Sequence, residues 1–175
     1  DDALLHLYDF HLRFGNVFEY IEQPCESFDD LAKLKREIPM KIAVDESIRK
    51  NLGSNLGSLK DVADVAIIKW APSGGISAAH HIAETVGLPV VVSSALESAV
   101  GINYGLKLAA SFENLDFDCG LGTGSLLSAN VGDLPIIDGE IAISEVEPNF
   151  DGLEVSPDRY EWWKNRVLET AEKIK

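Results

Sequence analysis

The sequence predicts an α/β fold, a parallel sheet covered by helices, on three observations. Short apolar runs rich in β-branched residues alternate with helical patterns. The runs are nearly continuous rather than alternating, as in strands buried on both faces. They also end on polar or special residues at near-regular steps: Glu22, Asp45, Lys69, Ser93 and about Gly120, separated by 23, 24, 24 and 27 residues. No sequence repeat accompanies these steps, so the chain is not a solenoid of similar units. An open doubly wound sheet and a (β/α)8 barrel both fit. No GxGxxG follows any strand, which removes the usual support for a dinucleotide fold. Polar side chains at successive strand C-termini, where barrel active sites lie, favour the barrel. Five strands make only part of one.

The elements follow in order. Residues 2–14 place Leu4, Leu5, Leu7, Tyr8, Leu12 and Phe14 in a helical pattern closed by Gly15. A strand over residues 18–22 ends at Glu22, and Gln23-Pro24 stops it. Ser27 is the expected N-cap of a helix whose core stripe is Leu31, Leu34 and Ile38, and Pro39 ends it. MKIAVDES is a strand ending at Asp45. Residues 47–60 form a short, weak helix, since Gly53 and Gly57 lower helix propensity. DVADVAIIKW is a strand ending at Lys69. Gly74-Gly75 allow a tight turn into the helix that contains His80-His81, whose imidazoles are expected to pack or face solvent. LPVVVSS is the fourth strand and ALESAVGINYGLKLAASF a helix, with Glu97 in its first turn facing the helix dipole. DFDCGLGTG is a fifth, more polar strand. Residues 1–128 are therefore read as barrel, and 129–175 as an irregular return ending in a helix from about Pro157. Trp162-Trp163 in that helix are expected to pack on the barrel or a partner.

Composition narrows the function classes. The 175 residues are 46% apolar and 25% charged, an ordinary globular balance with enough chain for one sizeable core. A net charge of −14 argues against nucleic acid and against an anionic membrane as partners. Cys25 and Cys119 lack metal-type spacing and read as free thiols in a reducing cytoplasm. No signal peptide is visible, and no apolar run approaches the ~20 residues of a membrane span. The oligomeric state is left open.

Three strand ends carry chemistry together. Adjacent parallel strands lie about 4.8 Å apart, so side chains at neighbouring tips converge. Oxygens from Glu22 and Asp45 suit a hard cation such as Mg²⁺, which keeps waters and takes substrate oxygens as its other ligands. Lys69 on the next strand then serves as acid, base or electrostatic partner. That set fits chemistry at a carbon next to a carboxylate. Ser93-Ser94 lack a GxSxG elbow and a partner His, so they read as hydrogen-bond donors to a substrate rather than a nucleophile.

The segments YIEQPC, AVDES, IIKWAPSGG, VVSSALESAVG and CGLGTG, in this order and spacing, resemble the enolase superfamily over residues 1–128. Within it they resemble most the branch that dehydrates a cyclohexadiene carboxylate carrying hydroxyl and succinyl groups in menaquinone biosynthesis. The resemblance implies a TIM-type (β/α)8 barrel of which this chain holds strands four to eight. It implies Mg²⁺ as cofactor, with Glu22 and Asp45 as the second and third metal ligands. It makes Lys69 the sixth-strand electrostatic stabiliser, Ser93 and Ser94 the lining of a succinyl pocket, and Gly120 and Leu121 the eighth-strand backbone beside the substrate. The family's second-strand Lys-x-Lys base and its third-strand Asp have no strand-end counterpart here. Strands one to three and a capping domain are accordingly expected to be absent from this chain, which makes the N-terminal half of the same protein an expected partner. Trp70 stands where the family pattern leads one to expect a smaller side chain. Two other functions compete: racemisation of N-succinylamino acids, which needs a lysine on each face of the α-carbon, and a non-catalytic half-barrel that binds or assembles.

Overall fold

The computed structural model describes residues 2–15, 17–52 and 54–174, with side chains from Leu5 onward. The Leu4 side chain and Gly53 lie outside the described residues. Four parallel strands, β1 (Ile21–Glu22), β2 (Ile42–Val44), β3 (Val65–Ile68) and β4 (Val90–Val92), pair in sequence order. Each crossover carries helix: α2 (Phe28–Glu37) after β1, α3 (Glu46–Lys50) and a 3-10 turn (Leu56–Asp61) after β2, and α4 (Trp70–Ser73) and α5 (Ile76–Val86) after β3. α1 (Asp2–Phe14) precedes the sheet; α6 (Ala99–Ala110) and α7 (Pro157–Lys173) follow it. The βα alternation and the parallel sheet are as the sequence predicts.

Local chemistry explains the boundaries. Ser27 caps α2 by accepting from the Asp30 N–H at 3.1 Å, and Asp29 and Asp30 occupy its first turn. Gly74 and Gly75, at φ 92° and 118°, make the turn between α4 and α5 that a side chain would strain. Leu31, Leu34 and Ile38 are buried as the stripe predicts.

The sheet has two apolar faces of different kind. Ile42, Val44, Ala66, Ile68 and Val92 join the large core beneath the helices, with Leu31, Leu59, Val86 and Leu108. Ala43, Val65, Ile67 and Val91 form a second cluster on the opposite face, with Tyr20 and Phe117 packed against it. Strand side chains alternate with period two, so a strand buried on both faces reads as a continuous apolar run. Tyr20 and Phe117 meet edge to face at 5.4 Å, and the Lys41 ammonium lies 5.1 Å from the centre of the Phe117 ring.

Several expectations are corrected. The fifth strand is reduced to one bridge, Ser93 to Gly120, because Asp116, Asp118 and Gly120 give it little apolar surface to bury. Residues 18–20 lie outside β1. The weak helix over 47–60 resolves into α3 and the 3-10 turn. α6 starts at Ala99 with Ser98 at its N-cap, so Glu97 precedes the helix; its carboxylate accepts from the Ala95 N–H at 2.6 Å, bracing a turn where Leu96 has φ 66°. Of the two expectations for Trp162 and Trp163, packing on the barrel is not met: both stand about half exposed, edge to face with each other and beneath Arg159. In α1, Leu5 and Leu12 are exposed, and among the described side chains Leu7 packs against the core. Among the described residues no helix is long and apolar enough to cross a membrane.

Leu31 has no exposed surface, whereas Val167 in α7 is 63% exposed. Leu31→Ala is expected to cost about 2–5 kcal/mol through lost burial and a residual cavity. Val167→Ala is expected to stay within about 0.5 kcal/mol. Denaturant midpoints of the two variants, compared at equal slope, check the contrast.

Candidate active site

Glu22 is the last residue of β1, Asp45 follows the last residue of β2, and Lys69 follows the last residue of β3. The register brings them together. Glu22 pairs with Ala43, and Asp45 lies two residues further along the same face. Ile67 pairs with Val91, and Lys69 and Ser93 each lie two residues beyond them, again on that face. All four side chains therefore crown the face whose buried cluster is Ala43, Val65, Ile67 and Val91, at the C-terminal rim.

The Lys69 ammonium is in direct contact with Asp45 Oδ2. The two side chains are 19% and 13% exposed, so this pair is sheltered rather than a solvated surface contact. Glu22 stands beside them. Partial burial, and next the Asp45 carboxylate, push its carboxyl above the usual glutamate value, with the Lys69 charge offsetting part of the rise. Two carboxylates this close, with Asp45 raising Glu22, form a donor set that a hard divalent cation fits, because its charge offsets the repulsion. Among the described residues no three acidic, His or Cys side chains converge into a metal-holding group.

Ser93 and Ser94 continue the rim at β4. Ser94 is buried, donates to Gly120 O at 3.0 Å, and shares a 2.7 Å hydrogen bond with the Thr123 hydroxyl. The Ser93 hydroxyl also donates to Gly120 O, at 3.2 Å. A Cβ at Gly120 would come within 2.7 Å of Ser93 Oγ, so glycine is what lets the two segments lie this close. The Leu121 side chain is buried in the core. Trp70 donates its indole N–H to Gly101 O at 2.9 Å and stacks on Tyr104, tying α4 to α6. His80 sits away from the rim, bonded to Ser111 and stacked on Phe112. Of the two Lys-x-Lys motifs in the sequence, at 33–35 and 173–175, the first lies in α2, and its Lys35 bonds Ala63 O and Asp64 at the opposite end of β3.

A cavity of about 20 Å³ opens beside Asp45 and Lys69, room for a water-sized ligand but not for a ring. Larger hollows of about 350 and 670 Å³ lie between α6 and the return segment, lined by Leu121, Gly122 and Ile136. Those hollows are lined by carboxylates without a cation, Asp133 in one and Asp118, Asp138 and Glu140 in the other, whereas the rim sets an ammonium against two carboxylates, which makes the rim the candidate site.

Sequence reasoning missed Gln23. Its side-chain oxygen accepts from the Asp45 N–H at 3.0 Å and the Ser47 N–H at 3.1 Å, and its NH₂ donates to Cys25 O and Ser47 Oγ. The available signal was a long amide side chain placed between a strand-ending carboxylate and a proline.

With this geometry in view, the comparisons are specific. Residues 11–160 match the family model described as enolase C-terminal domain-like. The chain is 45% identical over 153 residues to an o-succinylbenzoate synthase of Mycobacterium bovis, covering 85% of this chain and 47% of that protein. It thus spans about half the length of the relatives it matches. A solved N-succinyl Arg/Lys racemase of Bacillus cereus superposes with a TM-score of 0.71 at 23% identity, covering 85% of this chain and 42% of the other. A dipeptide epimerase of Cytophaga hutchinsonii, complexed with Mg and a dipeptide, superposes at 0.67 with 20% identity, covering 84% and 41%. At such identities the two structures show the fold alone, a parallel sheet that makes up part of a barrel.

The raised Glu22 carboxyl has a consequence for stability. A carboxyl whose value is raised on folding favours the folded state while protonated, and that support is lost as pH rises through the folded value. Without metal, Glu22→Gln is therefore expected to melt above the wild type at neutral pH, and the gap is expected to shrink as pH falls toward the ordinary glutamate value of 4.5. Melting curves in EDTA from pH 4 to pH 8 test this; a variant that melts below wild type throughout would show that Glu22 is not under repulsion.

Proposed function

The chain belongs to the enolase C-terminal domain-like family, and from that premise we propose that it is the rim-bearing part of an o-succinylbenzoate synthase. The enzyme would be a lyase that removes water from a cyclohexadiene carboxylate carrying a hydroxyl and a succinyl group, in the route to menaquinone. The observation that carries this reading is the apposition of Glu22, Asp45 and Lys69 on one rim, in a chain 45% identical to a protein of that name.

Glu22 and Asp45 would hold Mg²⁺ through carboxylate oxygens, a hard donor set for a hard ion. Bound there, the ion would supply positive charge to the substrate carboxylate and make the neighbouring C–H more acidic. In the reaction that C–H bond breaks, its electron pair moves into the ring, and the C–OH bond breaks with loss of water, leaving an aromatic ring. Lys69 keeps an ammonium at the rim, where it opposes the negative charge that spreads over the ring and carboxylate as the proton leaves. The family pattern assigns the proton-abstracting base to a strand-borne Lys-x-Lys, and among the described residues no strand carries one. The base and a further metal ligand are therefore proposed to come from the N-terminal half of the complete protein. Ser93 and Ser94 stand one strand further on. Their hydroxyl protons point to Gly120 O, and a succinyl carboxylate reaching the rim would accept from them instead. The Gly120-Leu121 backbone lies beside the same subsite.

The experiment is an assay of the full-length protein, following formation of the aromatic product with Mg²⁺ and with EDTA, against racemisation of N-succinylamino acids as comparator. Mg²⁺-dependent dehydration is the expected result; racemisation without dehydration would overturn the reading. In the same protein Lys69→Ala is expected to lower kcat by ~10² or more with an unchanged circular dichroism spectrum, the scale for one group that opposes developing charge. A variant within threefold of wild type would remove Lys69 from the chemistry.

A further inference from the structure

Gln23 occupies an unusual position. Its backbone has φ 39°, left-handed territory that a side chain other than glycine's rarely adopts, immediately before Pro24. Its N–H donates to Ala43 O at 2.8 Å, continuing the β1–β2 pairing past Glu22. Its side-chain amide is used in full, accepting from two backbone N–H groups and donating to two oxygens, all four within 3.1 Å.

Asp45 is the residue that explains why. An aspartate directly before a helical segment ordinarily turns its carboxylate back to accept from the N–H two or three residues on. Asp45 stands directly before α3 and makes no such bond; its carboxylate points to Lys69. The N–H groups of Asp45 and Ser47 are satisfied by Gln23 Oε1, and the Ser47 hydroxyl, in a residue 6% exposed, holds the amide from the other side.

We infer that Gln23 is a positioning residue that caps the start of α3 in place of Asp45 and so withholds the Asp45 carboxylate for a divalent cation at the rim. Gln23 also adjoins Glu22 in the chain, so one amide sets both strand-end carboxylates relative to each other. The cation part of this inference rests on the proposed function; the capping part does not.

A double-mutant cycle of Gln23→Gly and Asp45→Ala separates the two. Glycine suits φ 39°, so the variant removes the amide without adding strain. In EDTA, the wild-type aspartate can fall back onto the freed Ser47 N–H when Gln23 is lost, whereas alanine cannot. Gln23→Gly is therefore expected to lower Tm by about 2–4 °C less with Asp45 present than in the Asp45→Ala background, the scale of one cap in a chain of this length. Additive Tm changes would overturn the inference. By calorimetry on the full-length protein, Gln23→Gly is expected to weaken Mg²⁺ binding roughly 10- to 100-fold, as loss of a residue that orients a ligand does. Unchanged affinity would overturn the positioning role. If the wild type binds no Mg²⁺, the proposed function falls, while the EDTA cycle still decides the cap. If Gln23→Gly does not fold, Ser47→Ala, which frees one side of the amide, takes its place in the cycle with the same sign and a smaller coupling, and additivity again overturns the inference.

Discussion

A parallel sheet with short crossovers must bury both of its faces, and the rest of this structure depends on that constraint. The helices cover one face; the other holds Ala43, Val65, Ile67 and Val91, all almost fully buried. A charged side chain in the middle of that second face would lose its water without gaining a partner, at a cost of several kcal/mol. At the C-terminal rim the same face meets solvent. Glu22, Asp45, Lys69 and Ser93 are the next residues of matching parity as each strand runs out, so the alternation that builds the inner cluster also decides that these four crown it.

Crowding charges at that rim costs stability that the fold recovers locally. Asp45 is answered by Lys69, and the N–H groups around it by Gln23. Glu22 is left under-compensated: partial burial first, and the Asp45 carboxylate next, hold its carboxyl above the usual value. A sheet selected for stability alone would end β1 on a neutral polar side chain. Repulsion retained next to a sheltered ion pair is the kind of local strain that marks a functional site.

How much of this was legible in the sequence depended on the length scale of each signal. The strand ends at Glu22, Asp45, Lys69 and Ser93 could be located because a buried parallel strand is a continuous apolar run and the first polar residue after it is conspicuous. Strand lengths could not, since pairing needs a neighbour in register: β1 keeps two residues and the Gly120 segment one bridge. Glu97 was misplaced because its bond to the Ala95 N–H forms through Leu96 at positive φ, which nothing in the residue types announces. Trp162 and Trp163 were expected to pack on the barrel or a partner, and within this chain α7 makes its aromatic contacts with itself and its own arginines. Gln23 was passed over because its partners lie more than twenty residues away, at Asp45 and Ser47.

The rim also resolves an electrostatic difficulty. A chain of net charge −14 repels an anionic substrate, and the local set of two carboxylates and one ammonium is itself negative. Lys69 is paired with Asp45. On the proposed function, a divalent cation held by Glu22 and Asp45 would change the local sign from minus one to plus one. It would also take over the task that Lys69 performs for Asp45, leaving the ammonium available to the substrate. Cation and substrate would then bind in a required order, with the carboxylate drawn to a rim that only becomes positive once the ion is in place. Asp45 can take part in that exchange only while its carboxylate faces the rim, the orientation left open by the hydrogen bonds that the Asp45 and Ser47 N–H groups donate to Gln23.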